Sequence, residues 1–282
     1  MRATVPVRLL SSGALAGCVA AASCATGAPA PLALAYRLPD PAVVTYFAGD
    51  TLSVQINALG QPLELRVGST AEYGVSYERS GDGLTVTLAV RSLEVDVSLP
   101  MVEPMRIEEA IVEGDLVLAL DRRGEVTILE SPDVEEAASA FFAGPMIAHS
   151  LFPGLPGTAV QPGDSWVDTV AFQEDGDTGE SSQRSITTYT VIGDTQVEGR
   201  SLLEIGFEGT SEMRQTMALQ GTEIEQATNM EVVGRVLWDM RRGLMFERET
   251  ISTGTGTVRV ALAPMPLPTR VESRSRVRLA LP

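Results

Sequence analysis

The chain of 282 residues contains no lysine, a single histidine (His149) and two cysteines (Cys18 and Cys24), and only 5% of it is aromatic. Each shortage removes a class of function. Without lysine there is no Schiff-base chemistry and no phosphate-gripping lysine of a nucleotide-binding loop. One histidine and two cysteines are too few for a metal site built from those ligands. A nucleophile, a histidine and an orienting acid are needed for a catalytic triad, and His149 stands beside Ser150 near a helix end, where it reads as a cap rather than a base. Basic charge is also scarce. Twenty-one arginines against 37 acids give a formal charge of -16, which repels the phosphates of nucleic acid. No stretch approaches the roughly 20 apolar residues of a transmembrane helix.

What is present begins at the N-terminus. Met1 to Arg8 carries two arginines and no acid, Leu9 to Gly17 is apolar or small, and the run ends in Leu15-Ala16-Gly17-Cys18. That order of cationic, apolar and small residues is the layout of a secretory signal over residues 1–17. Leu-Ala-Gly-Cys resembles the bacterial lipobox, which implies acylation of Cys18, with Cys24 a weaker second candidate because Ala21 replaces leucine at the start of its box. The alternative is an ordinary signal cut later, after Ala28-Pro29-Ala30, with a secreted or periplasmic product. Residues 18–35, rich in Ala, Pro, Ser, Thr and Gly, read as a flexible tether. On these residues the expected location is the cell envelope, with the membrane contact made by lipid on Cys18 and, if the host has an outer membrane, that membrane as the destination.

From residue 36 to 282 the dominant hydrophobic period is two. Leu52, Val54 and Ile56 alternate with polar neighbours, as do Leu63, Leu65 and Val67, and Leu84, Val86, Leu88 and Val90. One apolar and one solvated face predict a mainly β domain built on a curved antiparallel sheet. A change of parity between Val90 and Leu93 predicts a bulge or turn at Arg91-Ser92. Ser131, Pro132 and the acids that follow predict one mid-chain helix near 132–152, its stripe of Val134, Ala137, Ala138, Phe141 and Phe142 packed on the apolar face, with Gly144-Pro145 ending or kinking it. Leu118 to Gly124 (Leu-Ala-Leu-Asp-Arg-Arg-Gly) is similar to Leu237 to Gly243 (Leu-Trp-Asp-Met-Arg-Arg-Gly). Two related β lobes and recurring hairpin chemistry explain that repeat equally well.

With a lipobox, a tether, long strands and one helix in order, the chain resembles bacterial envelope lipoproteins of the LolA/LppX type, half-barrels whose concave apolar face is covered by helices. The stretch Leu155-Pro156, Val160 and Pro162-Gly163-Asp164-Ser165-Trp166 is similar to the "GdsW" segment of uncharacterised bacterial lipoproteins built this way. The resemblance implies a non-enzymatic lipoprotein that binds a lipid or another hydrophobic ligand in a groove beneath the helix. It transfers no ligand-contacting residue and no cofactor. The alternative is a structural or assembly lipoprotein with a self-filled core that recruits an envelope protein partner. Glu174 to Glu180 has the start of a calcium loop, but the position for its closing glutamate is Ile186, so an acidic hairpin loop is expected and no metal.

Overall fold

A computed structural model describes residues 30–58, 61–98, 103–108, 112–134, 143–176, 179–219, 222–260 and 265–280. The expected signal at 1–17, Cys18, Cys24 and most of the tether lie outside the described residues. Pro31–Pro282 forms one compact unit. Packing begins ahead of Tyr36: Leu32 bridges to Val160, and Leu34 is buried.

The strands in chain order are β1 (Val43–Ala58), β2 (Gln61–Ser80), β3 (Gly83–Ser98), β4 (Met105–Ile107), β5 (Val112–Glu113), β6 (Leu116–Leu120), β7 (Val126–Glu130), β8 (Asp133–Val134), β9 (Ser165–Gly176), β10 (Gly179–Val197), β11 (Arg200–Leu219), β12 (Thr222–Asp239), β13 (Leu244–Val260) and β14 (Leu267–Leu279). Twelve of them form one antiparallel sheet in the order β7-β6-β3-β2-β1-β14-β13-β12-β11-β10-β9, with β4 beside β3. The sheet is open, its edges being β7 and β9. Most neighbours in the sheet are neighbours in sequence because short turns join them, while the β1–β14 pairing closes first strand onto last. Both arginine-bearing repeat hairpins, β6–β7 and β12–β13, belong to this one sheet.

The expected mainly antiparallel β architecture with one helix among the described residues is what the structure has. The parity change is a bulge at Arg91: Tyr73 pairs with Val90 and Glu72 with Ser92, and the bulged guanidinium turns back to Glu72 and Thr45. Gly74 makes room for it, since a side chain there would start 2.6 Å from Arg91 Nε.

The helix differs from expectation. Asp133–Val134 is a strand paired with β5, residues 135–142 lie outside the described residues, and the helix, α1, is Gly144–Leu151. Gly144-Pro145, expected to terminate the helix, starts it. Proline lacks an N–H, but the first turn of a helix has no partner for that N–H, so the residue that stops one helix suits the opening of the next.

One cluster forms the core. Tyr46, Val75, Val86, Leu88, Leu118 and Leu120 from the first strands meet Tyr189, Leu203, Val236, Trp238 and Phe246 from the last, and α1 with Phe152 and Leu155 covers them. Farther along the strands Val54 and Val271 are buried as well. The exposed face is mixed: Arg270, Glu272, Arg274, Arg276 and Arg278 alternate along β14, while Phe47, Val233 and Ile251 of other strands are exposed apolar side chains. There Glu247, only 3% exposed, is bonded by Arg276 at 2.7 Å and flanked by Arg235 and Arg278.

Candidate functional site

The two free edges of the sheet are bridged by the chain that follows α1. Phe152 to Leu155 runs as a strap from the helix end. Leu155 N–H donates to Arg123 O at 2.7 Å on the turn before β7, and on the other side Trp166 Nε1 of β9 donates to Gly154 O at 3.0 Å. The Asp168 carboxylate accepts from the Gly154 and Thr169 N–H groups. A Cβ at position 154 would lie 2.4 Å from Asp168 Oδ2, so a side chain there would displace the carboxylate. Tyr36 OH donates to Pro153 O at 3.0 Å, fastening the strap to the N-terminal segment as well.

The Pro162 to Trp166 segment singled out in the sequence is the turn that launches β9. Gly163 takes φ of +94°, Asp164 Oδ2 accepts from Gln161 N–H, and Gly163 N–H and Asp164 O bond to Val191. This aims Trp166 at Tyr189, on which it stacks with ring centroids 5.4 Å apart and planes 14° from parallel.

Between β7, α1, the strap and β9 lies a cleft of about 580 Å³. Ile128, Val170 and Phe172 give it apolar wall, Trp166 an amphipathic one, and Arg123, Glu125, His149 and Asp168 its titratable groups. Burial pushes the Asp168 carboxyl above the usual carboxylate range, against the pull of its two backbone hydrogen bonds and of Arg248. His149 is held down to about 3 by burial first and by the neighbouring Arg248 second. It lies in the last turn of α1 as expected, but uncharged at neutral pH, so it adds no cation to the helix end. Arg248 is only 8% exposed. It donates to His149 O at 2.8 Å and lies 4.9 Å from the centre of the Phe207 ring.

A buried neutral histidine makes stability depend on acid. Unfolded His149 takes up a proton below pH 6.5, and the folded one does so only near 3. The unfolded state therefore binds more protons in that window, and stability complete above pH 6.5 falls as pH falls, by up to about 1.4 kcal/mol per unit. Asp168 and Asp50, whose folded values are raised from 3.8, act in the opposite sense at the acid end of the window. Between pH 6.5 and 5 the wild type should lose about 2 kcal/mol. Denaturant unfolding of His149→Asn should show a shallower dependence, and an identical pH profile would remove His149 from this role.

Sequence reading left Arg248 and Asp168 unassigned. Arg248 follows Glu247 on a strand of mixed charge, and no pattern marked it as inward-facing. Among the described residues no group of three histidine, cysteine or carboxylate side chains is placed to hold a metal ion. Gly176 pairs with Gly179 and Asp175 with Glu180, the hairpin expected of the acidic segment. No described helix is long and apolar enough to cross a membrane.

No known protein family matches the chain, and no curated relative does. Solved structures do, at low similarity. OpdQ of Pseudomonas aeruginosa is 8% identical with a TM-score of 0.25 over 85% of this chain and 99% of its own. The β domain of the Bordetella autotransporter BrkA is 10% identical with a TM-score of 0.23 over 84% and 99%, and a BenF-like porin from Pseudomonas fluorescens is 6% identical with 0.22 over the same shares.

This finding corrects the expected function. The chain was expected to be an acylated lipoprotein binding lipid or another hydrophobic ligand in a groove, or else an assembly lipoprotein; the structures it matches are porins and an autotransporter β domain instead. Most of the aliphatic face is packed, because Val54 and Val271 are buried and Leu151 and Phe152 cover the strands beneath α1, and the space that remains is the cleft beside α1 at the seam. A TM-score of 0.25 carries no porin activity to this chain. The exposed face of β14 bears five charges where a membrane barrel turns an apolar band to lipid, and an arginine at mid-membrane costs about 2–4 kcal/mol.

Proposed function

We propose that this chain is a non-catalytic binding protein of the cell envelope that holds a small molecule in the cleft between its two sheet edges. The observation that carries the reading is the half-buried Asp168 carboxylate set in a cleft of about 580 Å³ beside Trp166 and Phe172. That volume falls inside the range of about 300–1,000 Å³ typical of small-ligand sites, and an apolar wall with few convergent polar groups is their usual composition. The sheet acts as a partly rolled half-barrel, and the strap across its seam positions both Asp168 and Trp166.

The chemistry selects the ligand. A carboxylate accepts hydrogen bonds and favours positive charge, Glu125 adds a second carboxylate to the lining, and aromatic faces attract cations. An amine or other organic cation with a flat apolar body fits. The lone His149, neutral and packed against Arg248, offers no general base near pH 7. The arginine-then-apolar order of residues 1–17 supports the envelope.

Trp166 reports on the site, because the other tryptophan, Trp238, is fully buried in the core. Titration with phenethylammonium should change tryptophan fluorescence saturably, and Asp168→Asn should weaken binding at least about tenfold, the loss of one charge-assisted contact. Phe172→Ala should weaken it without touching the strap. No saturable change in wild type, or equal affinity in both variants, would reject the reading.

A further inference from the structure

The first arginine turn gives Arg123 and Gly124 to the cleft, but Arg37, Arg122, Arg241 and Arg242 lie outside its lining, and the structure brings the two turns together. Each is folded by its own aspartate. Asp121 Oδ1 accepts from Arg123 and Glu125 N–H at 2.8 Å, and Asp239 Oδ1 accepts from Arg241 N–H at 2.9 Å and Arg242 N–H at 3.1 Å. The N-terminal segment Ala35 to Arg37 passes between the two turns. Tyr36 N–H donates to Arg122 O at 3.0 Å on one side, and on the other the Arg37 guanidinium donates to Met240 O. The turn glycines make the approach possible: Gly124 (φ +91°) and Gly243 (φ +65°) would put a Cβ 2.9 Å from the Tyr36 ring and from Arg37 Nε respectively.

Three chain segments thus deliver Arg37, Arg122, Arg241 and Arg242 to one end of the sheet. None of the four has an ion pair among the described residues, whereas Arg123 leans on Asp121 and Glu125, and Arg235, Arg276 and Arg278 share Glu247. Arg242 Nε is buried with no hydrogen-bond partner among the described residues. Asp121 and Asp239 are turned back into their own hairpins, Glu125 leans on Arg123, and Glu198 pairs with Arg278.

The acidic net charge does not cancel this end. Strands of 16 to 20 residues span roughly 50–65 Å, and at physiological salt charges are screened beyond about 8 Å. Acids at the far end are several screening lengths away. Guanidinium groups recognise phosphate oxygens through paired N–H donors and are weakly hydrated, so unpaired arginines on adjoining turns suit a multiply charged oxyanion.

We propose that Arg37, Arg122, Arg241 and Arg242, gathered by the two turns around the N-terminal segment, form a binding site for a phosphate-bearing anion. None of the four arginines lines the cleft, so failure of this site leaves the cleft reading intact and the reverse also holds. The test uses the full chain at low salt in two arms: calorimetric titration with inorganic triphosphate, and sedimentation with phosphatidylglycerol vesicles against phosphatidylcholine vesicles. Arg122→Gln combined with Arg241→Gln, both on exposed turn tips, should weaken binding about three- to tenfold, as expected from two partly exposed charge contacts. Arg274→Gln, which removes from the face of β14 an arginine with no ion pair among the described residues, should change nothing. Binding in both arms identifies a free phosphate as sufficient, and binding to phosphatidylglycerol alone identifies headgroup phosphate; either supports the site. No binding in either arm, or equal loss in the Arg274→Gln control, overturns it.

Discussion

Above pH 10 the protein should lose stability steeply and unfold within one to two pH units. All five tyrosines of the chain, Tyr36, Tyr46, Tyr73, Tyr77 and Tyr189, are buried. Burial, the largest cause in each case, pushes every one of them above the usual tyrosine value of 10.0. Tyr46 and Tyr36 moreover spend their hydroxyl protons on Met245 O and Pro153 O, bonds that a tyrosinate cannot donate. Unfolded tyrosines ionise near pH 10 while the folded ones keep their protons. The unfolded state then binds fewer protons, so stability is unaffected below pH 10 and falls as pH rises beyond it. Each tyrosine contributes up to about 1.4 kcal/mol per pH unit, and five together about 7. A typical domain is stable by only about 5–15 kcal/mol. With no lysine in the chain, the alkaline transition belongs to tyrosine alone until arginine titrates. Tyrosinate absorbance and loss of the β-sheet dichroism should appear together. Absorbance that titrates near 10 with the sheet intact would show the hydroxyls to be exposed.

Trp238→Ala should be the most damaging single truncation, costing about 3–5 kcal/mol in denaturant unfolding. Trp238 is fully buried on β12, between Leu203 of β11 and Met245 of β13. Its ring meets Tyr36 edge-on at 5.0 Å, and Tyr36 meets Phe152 at 5.9 Å, so one indole connects the sheet, the N-terminal segment and the start of the strap. Removing it leaves a cavity that cannot collapse without moving all three. The contrast is Trp166→Phe, which keeps the stack on Tyr189 and loses one hydrogen bond to Gly154 O, worth about 1 kcal/mol. Equal costs for the two substitutions would contradict this assignment of the core.

How far the sequence could be read depended on the range of the interaction. Strand pattern is local: Leu84, Val86 and Leu88 alternate because one face meets the core and the other water, and the bulge at Arg91 announces itself as a slipped parity. Gly124 at a hairpin is equally local, since the turn needs positive φ there. Helix boundaries were less legible, because Gly144-Pro145 signals both the end of one helix and the beginning of another, and only packing chooses. The cleft was not legible. Its strap contacts join Tyr36 to Pro153, Arg123 to Leu155 and Gly154 to Trp166, and no periodicity records which backbone carbonyl a distant side chain will reach.

The sequence by itself determined a lysine-free, acidic, mainly β chain with one-sided strands, because composition and hydrophobic period act residue by residue. Tertiary structure alone decided that most of the aliphatic face is packed, that Asp168 and Trp166 share a cleft at the seam, and that four arginines without an ion pair among the described residues collect at one end of a chain whose net charge is -16. The physical reason is that burial and charge act through space. A net charge is a sum over the chain, whereas a ligand meets only the charges within a screening length of it.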